Sequence, residues 1–457
     1  MKKTPVFLLL LVGAALLVSL AVSPDGSRAA DDSKVTIVYS SNMLGYMEPC
    51  GCEETDEHLG GLYKKATYLD EYRKTHPGTI IVDSGDLLTE EESIAPSVEP
   101  SAKLKAECIL EIFKNIGIDA VNVGEFDLVM GVGYLKELAK KYDFPFISAN
   151  LVDAGGKHIF PRYIIKKVGN KNVGIFGLIS DTGDIPGKVK EFSKGEASVT
   201  EAIAAATSVI EELQGKADYI VALTHQQANR DWIIARRVSG IDLIVGGHDK
   251  QRTNDPINVD DKALIVRAGE KGQFLGVFEA DLGAGKSFNH EQVPLGNSVA
   301  EKPEIVAMIR EYDEKVFNMF GGNAQEGVNP AEGAVLRSEK CGTCHANQLA
   351  KWKTTGHAKA YNTLFEKRMN YDPSCLTCHT VRFEQPGGFN MNDQPMSLVH
   401  VQCEVCHGDA TEHLASFSAD KIPNRKPTID DCARCHTPYR SPTLINGAKV
   451  YMDKIKH

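Results

Sequence analysis

Between residues 34 and 296, short apolar runs alternate with longer segments whose apolar residues recur at the spacing of a helix face. The short runs are rich in Val and Ile and predict strands at 35–39, 79–83, 120–123, 145–151, 173–179, 219–224 and 242–247. The helical spacing predicts helices at 62–74, 102–116, 200–213 and 231–238. This alternation indicates an α/β domain with a substantially parallel sheet.

Polar residues follow several of the predicted strands. Ligands of α/β sheets bind in the crevice beyond the carboxyl ends of the strands, so these side chains are candidates for a functional site. They are Asn42, Asp83, Asp86, Glu125, Asp127, Asn150, His225 and His248.

The pattern changes after residue 296. Residues 301–320 predict one connecting helix, and a linker rich in Gly, Pro and Asn follows it. From about residue 336 the apolar periodicity is weak, yet eight of the eleven cysteines lie there. These eight cysteines form four C-x-x-C-H units, at 341–345, 375–379, 403–407 and 432–436.

The C-x-x-C-H unit is the attachment signature of c-type haem. Two thiols about one helical turn apart bond to the haem vinyl groups, and the next histidine reaches the iron as proximal ligand. A zinc ribbon or a redox C-x-x-C pair does not need a histidine after every second cysteine. The sequence therefore predicts four haems, attached through Cys341, Cys344, Cys375, Cys378, Cys403, Cys406, Cys432 and Cys435, with proximal ligands His345, His379, His407 and His436. Because so short a segment cannot build a conventional core, we expect the haems to serve as its core.

The second axial ligands come from a smaller set of side chains. Outside the four motifs, the segment contains the distal candidates His357, His400, His413 and His457. The last of these is the terminal residue, where a chain often frays. The competing candidates are Met369, Met391, Met396 and Met452.

The C-terminal segment resembles the tetrahaem cytochrome c family that accepts electrons from hydroxylamine oxidoreductase. The resemblance rests on the four C-x-x-C-H units and on the W-x-x-T-x-H-A-x-A stretch that contains His357. It implies closely stacked haems and rapid electron transfer. It also implies that one haem lacks a sixth ligand.

The N-terminal region resembles the calcineurin-like metallophosphoesterases, in particular their exported 5′-nucleotidase branch. The matching stretches are VDSGD, GEFD, SANL, VALTH, LIVGGHDK and IVRAGEKGQFLG. The resemblance implies a four-layer α/β/β/α sandwich in which loops at strand ends hold two metal ions. The two ions of that family bind the scissile phosphate and activate water.

Several positions depart from the family pattern. Asn42 and Leu44 stand where the family has the Asp and His that bind the first metal, and Lys250 stands where it has another first-metal histidine. Val123 and Gly124 replace a second-metal asparagine and the histidine that protonates the leaving group. These departures argue against a two-ion hydrolase. Lys250 is a candidate to fill the vacant first-metal position with its own charge.

Three positions keep the family's residues: Asp86, His225 and His248. Two imidazoles and one carboxylate form a known facial set for a single metal ion. We therefore predict a residual site for one divalent ion. The alternative is a retained fold without chemistry, whose polar residues are simply hydrogen-bonded.

The N-terminus and the charge suggest where the protein acts. Lys2 and Lys3 precede an apolar run, and small residues follow at 27 and 29, as in a cleaved signal peptide. We therefore expect a periplasmic or extracellular protein with no membrane span after cleavage. The net charge of −10 and the lack of a basic tract exclude nucleic acid as a partner.

Two further cysteines lie near the altered first-metal loop. Cys50 and Cys52 are too close in sequence for an unstrained disulfide with each other. The alternatives are pairing with Cys108, a thiolate metal site that includes His58, or a redox-active thiol pair.

These features divide the chain into a signal peptide (1–30), a metallophosphoesterase-like domain (34–296), a connecting helix and linker (297–335) and a tetrahaem cytochrome c domain (336–457). We expect an exported electron carrier for redox partner proteins. Its N-terminal domain would dock such a partner or bind a small-molecule ligand. Two enzymes are alternatives: a metal-dependent hydrolase of a phosphoester or sulfur ester, and a multihaem oxidoreductase acting on a small nitrogen or sulfur compound.

Overall fold

The computed structural model describes residues 33–49, 58–283, 287–320, 329, 331–436 and 452–455. The predicted signal peptide, Cys50, Cys52 and His457 lie outside these residues. Within the described ranges, no helix combines the length and the apolar character needed to cross a membrane.

Fourteen strands occur in the described part of the N-terminal region. They are β1 (Lys34–Ser40), β2 (Ile80–Asp83), β3 (Ala120–Asn122), β4 (Phe146–Ile147), β5 (Leu151–Asp153), β6 (Tyr163–Val168), β7 (Lys171–Ile179), β8 (Ala197–Val199), β9 (Tyr219–His225), β10 (Leu243–Gly246), β11 (Ile257–Val259), β12 (Ala263–Arg267), β13 (Phe274–Asp281) and β14 (Ser287–Pro294). The helices of the same region are α1 (Leu62–Thr75), α2 (Glu99–Ile116), α3 (Val132–Tyr142), α4 (Ile185–Phe192), α5 (Ala202–Leu213), α6 (Ala228–Arg237) and α7 (Pro303–Phe320).

Two six-stranded sheets form the centre of this region. The first has the order β14-β13-β1-β2-β3-β4 and the second the order β11-β12-β10-β9-β7-β6. Strands β5 and β8 form a separate antiparallel pair. In each large sheet the central strands are parallel, so their carboxyl ends lie at one edge. There Ser40 pairs with Asp83, and Gly246 pairs with Thr224.

Three apolar layers hold the two sheets and the helices together. The layer between the sheets takes side chains from both, such as Ile37 from β1 and Val221 from β9. Helices α1, α2, α3 and α7 cover the outer face of the first sheet, and α5 and α6 cover that of the second. The predicted four-layer α/β/β/α sandwich is therefore confirmed.

The alternation of the sequence predicted the parallel strands but not the antiparallel edges. Strands β13 and β14 pair along eight residues, and β14 has no clean apolar alternation because most of its side chains are exposed. The strand predicted at 145–151 is divided into β4 and β5. Between them the chain leaves the first sheet, and the backbone amide of Ala149 donates to the carbonyl of Gly177 in the second sheet.

Short helices joined by turns make up the C-terminal region. They are α8 (Ser338–Gly342), α9 (Ala346–Lys353), α10 (Ala360–Glu366), α11 (Pro373–His379), α12 (Cys403–His407), α13 (Thr411–Ser416) and α14 (Ile429–Ala433). We expected no apolar core here without haem, yet Tyr361, Leu376, Phe389 and Val399 form a buried cluster with five other residues. A small core therefore joins α10 and α11 to the segment that follows them.

The C-terminal region rests against the end of α7. The ring of Phe317 meets that of Tyr371 edge-on, with centroids 5.3 Å apart. The side-chain amide of Gln394 donates through Nε2 to the backbone carbonyl of Phe320 at 2.7 Å. The connecting helix thus packs on the N-terminal core at one end and contacts the C-terminal region at the other.

Gly276 in β13 lies opposite Tyr39 in β1, and a Cβ atom at this position would lie 1.9 Å from the tyrosine ring. We expect Gly276→Ala to lower the free energy of unfolding by about 2 kcal/mol, because the buried ring must shift. Urea unfolding followed by far-UV circular dichroism measures the change.

Gly187→Ala is the matched control, because nothing lies within 4 Å of a Cβ atom at this position in α4. There alanine should raise the free energy of unfolding by up to about 1 kcal/mol. Equal effects of the two substitutions would contradict the packing around Tyr39.

Candidate functional site

Four candidate side chains converge at the carboxyl ends of the parallel strands. Nε2 of His225 lies 3.0 Å from Oδ2 of Asp86 and 3.1 Å from Oε2 of Glu125. Nδ1 of His248 lies 3.1 Å from Oε1 of Glu125. All but His248 are almost fully buried; its side chain is 22% exposed. We call these four residues the donor cluster.

The loops after β2 and β3 are fitted to one another at Gly124. A Cβ atom on Gly124 would lie 2.1 Å from Oδ1 of Asp86, so this arrangement has no room for a side chain there. The same oxygen accepts the amide of Phe126 at 2.9 Å. The glycine that replaces the family's histidine therefore lets Asp86 contact the backbone of the neighbouring loop.

Asp127 connects the same two loops through hydrogen bonds to their backbone. Its carboxylate accepts the backbone amides of Asp86, Leu87, Leu88 and Gly124, at 2.8–3.1 Å. Burial and the charge of Asp86 raise the pKa of Asp127 to about 7, although the hydrogen bonds from the amides of Gly124, Leu87 and Leu88 oppose this shift. Asp127 is thus a structural brace rather than a free carboxylate.

His225 is oriented by a backbone carbonyl. Its Nδ1–H donates to the carbonyl of Ser84 at 3.1 Å, which directs Nε2 towards the two carboxylates. Burial alone would lower the pKa of His225, but Asp86 and Glu125 raise it well above its usual value. Burial alone would raise the pKa of Glu125, but the imidazoles of His225 and His248 hold this pKa below its usual range. Burial and the charge of Glu125 raise the pKa of Asp86.

The loop where the family binds its first metal is closed by protein contacts. The side chain of Asn42 donates to the carbonyl of Gly269 at 3.0 Å and accepts the amide of His248 at 3.0 Å. Leu44 is 2% exposed and packs in the protein interior. The side chain of Lys250 is 43% exposed and pairs with Glu270 at 3.7 Å. The ammonium group of Lys250 therefore lies in a partly exposed ion pair with Glu270.

Glu125, His225 and His248 offer one ligand atom each within 4.8 Å of one another. The sequence predicted a metal site formed by Asp86, His225 and His248. In the structure Glu125 joins the two histidines, and Asp86 lies outside this group of three. Glu125 follows β3, and its place after a strand was the sequence signal for it. The resemblance did not identify it as a ligand, because in the family pattern the neighbouring asparagine and histidine act there.

The C-x-x-C-H units take up single turns of helix. In the first unit, the amides of Cys344 and His345 both donate to the carbonyl of Cys341, at 3.2 and 2.9 Å. The same pattern joins Cys435 and His436 to Cys432. None of the eight motif cysteines forms a disulfide in the described part of the chain, so disulfide bonding does not compete with haem attachment.

Two pairs of histidines face each other in the C-terminal region. The ring centroids of His345 and His413 are 6.2 Å apart, and those of His357 and His436 are 6.0 Å apart. Two imidazoles bound to opposite sides of one metal ion at about 2 Å place their centroids about 6 Å apart. The residues present therefore fit a haem iron between each pair.

Backbone carbonyls orient several of these imidazoles. The Nδ1–H groups of His379, His407 and His413 donate to carbonyls at 2.6, 2.9 and 3.0 Å, so Nε2 is the ligand atom of each ring. His400 has the reverse bond, because its Nδ1 accepts the amide of Tyr361 at 3.1 Å. A neutral His400 thus carries its proton on Nε2, which does not suit iron ligation through that atom.

The remaining candidates have other surroundings. Met391 is buried in the small apolar cluster, and Sδ of Met452 lies 3.5 Å from Sγ of Cys432. The carbonyl of His58 accepts the ammonium group of Lys64 at 2.6 Å. The thiol site predicted for Cys50 and Cys52 lies outside the described residues and stays a prediction.

Comparison with known proteins finds two kinds of similarity in this chain. The family described as "Cytochrome c554 and c-prime" matches residues 340–408, which include the first three C-x-x-C-H units but not the fourth. Bovine 5′-nucleotidase is 25% identical over 351 residues, covering 69% of this chain and 57% of its own length. The chain thus spans just over half of that relative.

Two solved structures share the N-terminal fold. The calcineurin-like phosphoesterase YfkN from Bacillus subtilis has a TM-score of 0.53 at 21% identity, covering 62% of this chain and 97% of that one. The sulfate thiohydrolase SoxB from Thermus thermophilus has a TM-score of 0.52 at 19% identity, covering 64% and 62%. The N-terminal region therefore has the α/β fold of the metallophosphoesterases, and a helical, loop-rich region with a match to a cytochrome family follows it.

If the Asn42 side chain is a brace, Asn42→Asp should destabilise the protein by about 1–3 kcal/mol. The carboxylate cannot donate to the carbonyl of Gly269, so a charged oxygen replaces a donor there and that carbonyl keeps only its hydrogen bond from the hydroxyl of Ser41. Thermal unfolding with and without Mn²⁺ measures the effect.

Asn229→Asp, at an exposed residue of α6, is the matched control and should change stability little. Full recovery of Asn42→Asp in Mn²⁺ would mean that this loop has kept a first-metal site, contrary to the hydrogen bonds of Asn42.

Proposed function

We propose that this chain is an exported multihaem c-type cytochrome that transfers electrons through four covalently attached haems. The opposed imidazoles support this most directly, because His345 faces His413 and His357 faces His436 at the separation expected across one iron. The fourth C-x-x-C-H unit supports a count of four. Its spacing and its facing histidine match those of the first unit.

The proposal assigns a role to each motif residue. Cys341, Cys344, Cys375, Cys378, Cys403, Cys406, Cys432 and Cys435 hold the haems through thioether bonds, and His345, His379, His407 and His436 are proximal ligands. His413 would be the second histidine to hold the iron bound by His345, and His357 would be the second for the iron bound by His436. Of the other two distal candidates, His400 is disfavoured by its bond from Tyr361.

Haem supplies reversible one-electron chemistry at its iron. The protein's part is to fix the imidazoles and to set their basicity. A carbonyl that accepts Nδ1–H, such as that of Asn424 for His407, holds the ring in one orientation and makes Nε2 a stronger donor. Ligation by two histidines favours the low potentials typical of such centres over those of His/Met centres.

The first and third attachment sites adjoin one another. The amide of Cys403 donates to the hydroxyl of Ser338 at 3.3 Å, and a hydrogen bond from the thiol of Cys341 lowers the pKa of Cys403 to about 6. Haems attached at these two units would therefore be close neighbours. That closeness supports electron transfer within the chain.

The N-terminal domain, on this proposal, docks a redox partner protein or binds a small-molecule ligand. The expected location is the periplasm or the extracellular space. Asn42, Leu44 and Lys250 make contacts that a two-ion clamp would have to break, which argues against the two-metal chemistry of the fold.

The second candidate function is metal-dependent hydrolysis of a phosphoester or sulfur ester. The observation in its favour is the closeness of Glu125, His225 and His248, whose donor atoms suit one ion. One ion with open positions can activate water as a Lewis acid. It cannot clamp both the attacking and the leaving oxygen.

The four-haem proposal predicts four haems per chain by pyridine haemochromogen assay and intact-mass analysis. His413→Ala and His357→Ala should each convert one of the four haems from low-spin to high-spin, because each removes one distal ligand. Electron paramagnetic resonance of the oxidised protein at low temperature counts the low-spin centres.

His158→Ala, at an exposed histidine of the N-terminal region, is the control and should leave all signals unchanged. His400→Ala should also leave the low-spin count unchanged. Three haems or fewer per chain, or an unaltered count in both distal variants, would refute the assignment.

The hydrolase alternative can be tested by a separate activity measurement. We expect the haem-loaded protein with Mn²⁺ to show no turnover of adenosine monophosphate or p-nitrophenyl phosphate, because the first-metal ligands and the leaving-group histidine are absent. Metal-dependent turnover that His225→Ala abolishes would instead establish the hydrolase.

A further inference from the structure

The donor cluster has a feature that hydrogen bonding alone does not explain. Nε2 of His225 and Oε2 of Glu125 are fully buried and only 3.1 Å apart, yet neither makes a hydrogen bond of acceptable geometry. Buried polar atoms are almost always paired, so two orphans side by side need a cause.

The tautomer of His225 sharpens the problem. Because Nδ1–H donates to Ser84, a neutral ring presents the bare lone pair of Nε2 to oxygens of Asp86 and Glu125 at 3.0 and 3.1 Å. Such a contact is repulsive unless a cation, either a proton or a metal ion, lies between the donor atoms. A divalent ion can take that place, and unlike a proton it can bond to His225, Glu125 and His248 at the same time.

We propose that Glu125, His225 and His248 form a mononuclear binding site for a divalent first-row transition-metal ion, with Glu125 as the carboxylate ligand. Two imidazoles and one carboxylate suit such an ion better than Mg²⁺ or Ca²⁺, which prefer oxygen donors alone. Three protein ligands leave coordination positions open. His248 is the ligand that reaches solvent.

Glu125 takes the place of a ligand that the chain lacks. Val123 and Gly124 contribute no metal donor, and the carboxylate of Glu125 lies between the two imidazoles, one oxygen near each. Oδ2 of Asp86 also contacts Nε2 of His225, but Asp86 lies outside the group of three whose donor atoms are all within 4.8 Å, and its second oxygen accepts the amide of Phe126. Asp86 is therefore a positioning residue that holds His225 and the loop after β3.

Among the described residues, the positions opposite the cluster offer a second ion no available ligand. The amide group of Asn42 is bonded at both ends to backbone, and Leu44 offers only carbon. Lys250 brings a positive charge beside the partly exposed Glu270. These contacts favour one ion rather than two.

The proposal deepens the second candidate function but does not require turnover, and its failure would leave the four-haem proposal untouched. The test counts Mn²⁺ bound to the full-length, haem-loaded protein after removal of metals by chelator. Mn²⁺ is chosen because thiolates such as those of Cys50 and Cys52 bind it poorly. The room-temperature paramagnetic resonance of free Mn²⁺ gives the bound fraction without interference from haem iron.

We expect one Mn²⁺ per chain and an affinity at least about 100-fold weaker in Glu125→Gln, since a ligand exceeds the 10–100-fold typical of outer-shell partners. Asp86→Asn should weaken binding about 10-fold or less, as a positioning residue does. Glu270→Gln is the matched control at a nearby, partly exposed carboxylate and should bind as the wild type does.

His248→Ala provides a second ligand deletion should Glu125→Gln fail to fold, because His248 is partly exposed and its loss should be tolerated. It too should abolish tight binding. Two ions per chain, no bound ion, or binding that survives in Glu125→Gln or in folded His248→Ala would each overturn the proposal. Loss of the ion in Asp86→Asn with retention in Glu125→Gln would overturn it as well, by making Asp86 the carboxylate ligand.

Discussion

The buried carboxylate of Asp127 holds the loops after β2 and β3 together, and the geometry of the donor cluster depends on it. Because it accepts amides from both loops, it fixes the backbone of Asp86 relative to that of Gly124 and Glu125. Four amide dipoles directed at one charge form a stable arrangement inside a protein. The carboxylates of Asp86 and Glu125 can then lie beside His225, because Asp127 holds their two loops in fixed positions.

The residues that differ from the phosphoesterase pattern make consistent contacts in three dimensions. The side chain of Asn42 forms two hydrogen bonds to backbone, and Leu44 is buried. The lack of a side chain at Gly124 lets Asp86 reach the neighbouring amide. Protein contacts thus engage Asn42 and Leu44, while His225 and His248 lie beside Glu125. These contacts agree with the proposal of one ion rather than two.

The C-terminal region uses a different source of stability. Its own apolar cluster is small and gathers around α10 and α11, away from much of the remaining chain. Val335 and Phe417 are 79% and 76% exposed and thus lie outside this cluster. Covalently attached haems would supply both the missing apolar contacts and the cross-links that a segment of this size needs.

The sequence by itself determined whatever depends on local order. Alternating strands and helices indicated the α/β domain, and the C-x-x-C-H spacing predicted the haem attachment sites, because one turn of helix carries all the residues of that motif. Tertiary structure alone decided which distant groups meet. The antiparallel edge of β13 and β14, the place of Glu125 between His225 and His248, and the pairing of His345 with His413 all join residues that no local pattern relates. Such contacts are selected by the packing of whole layers and loops, so they follow from the fold and not from sequence spacing.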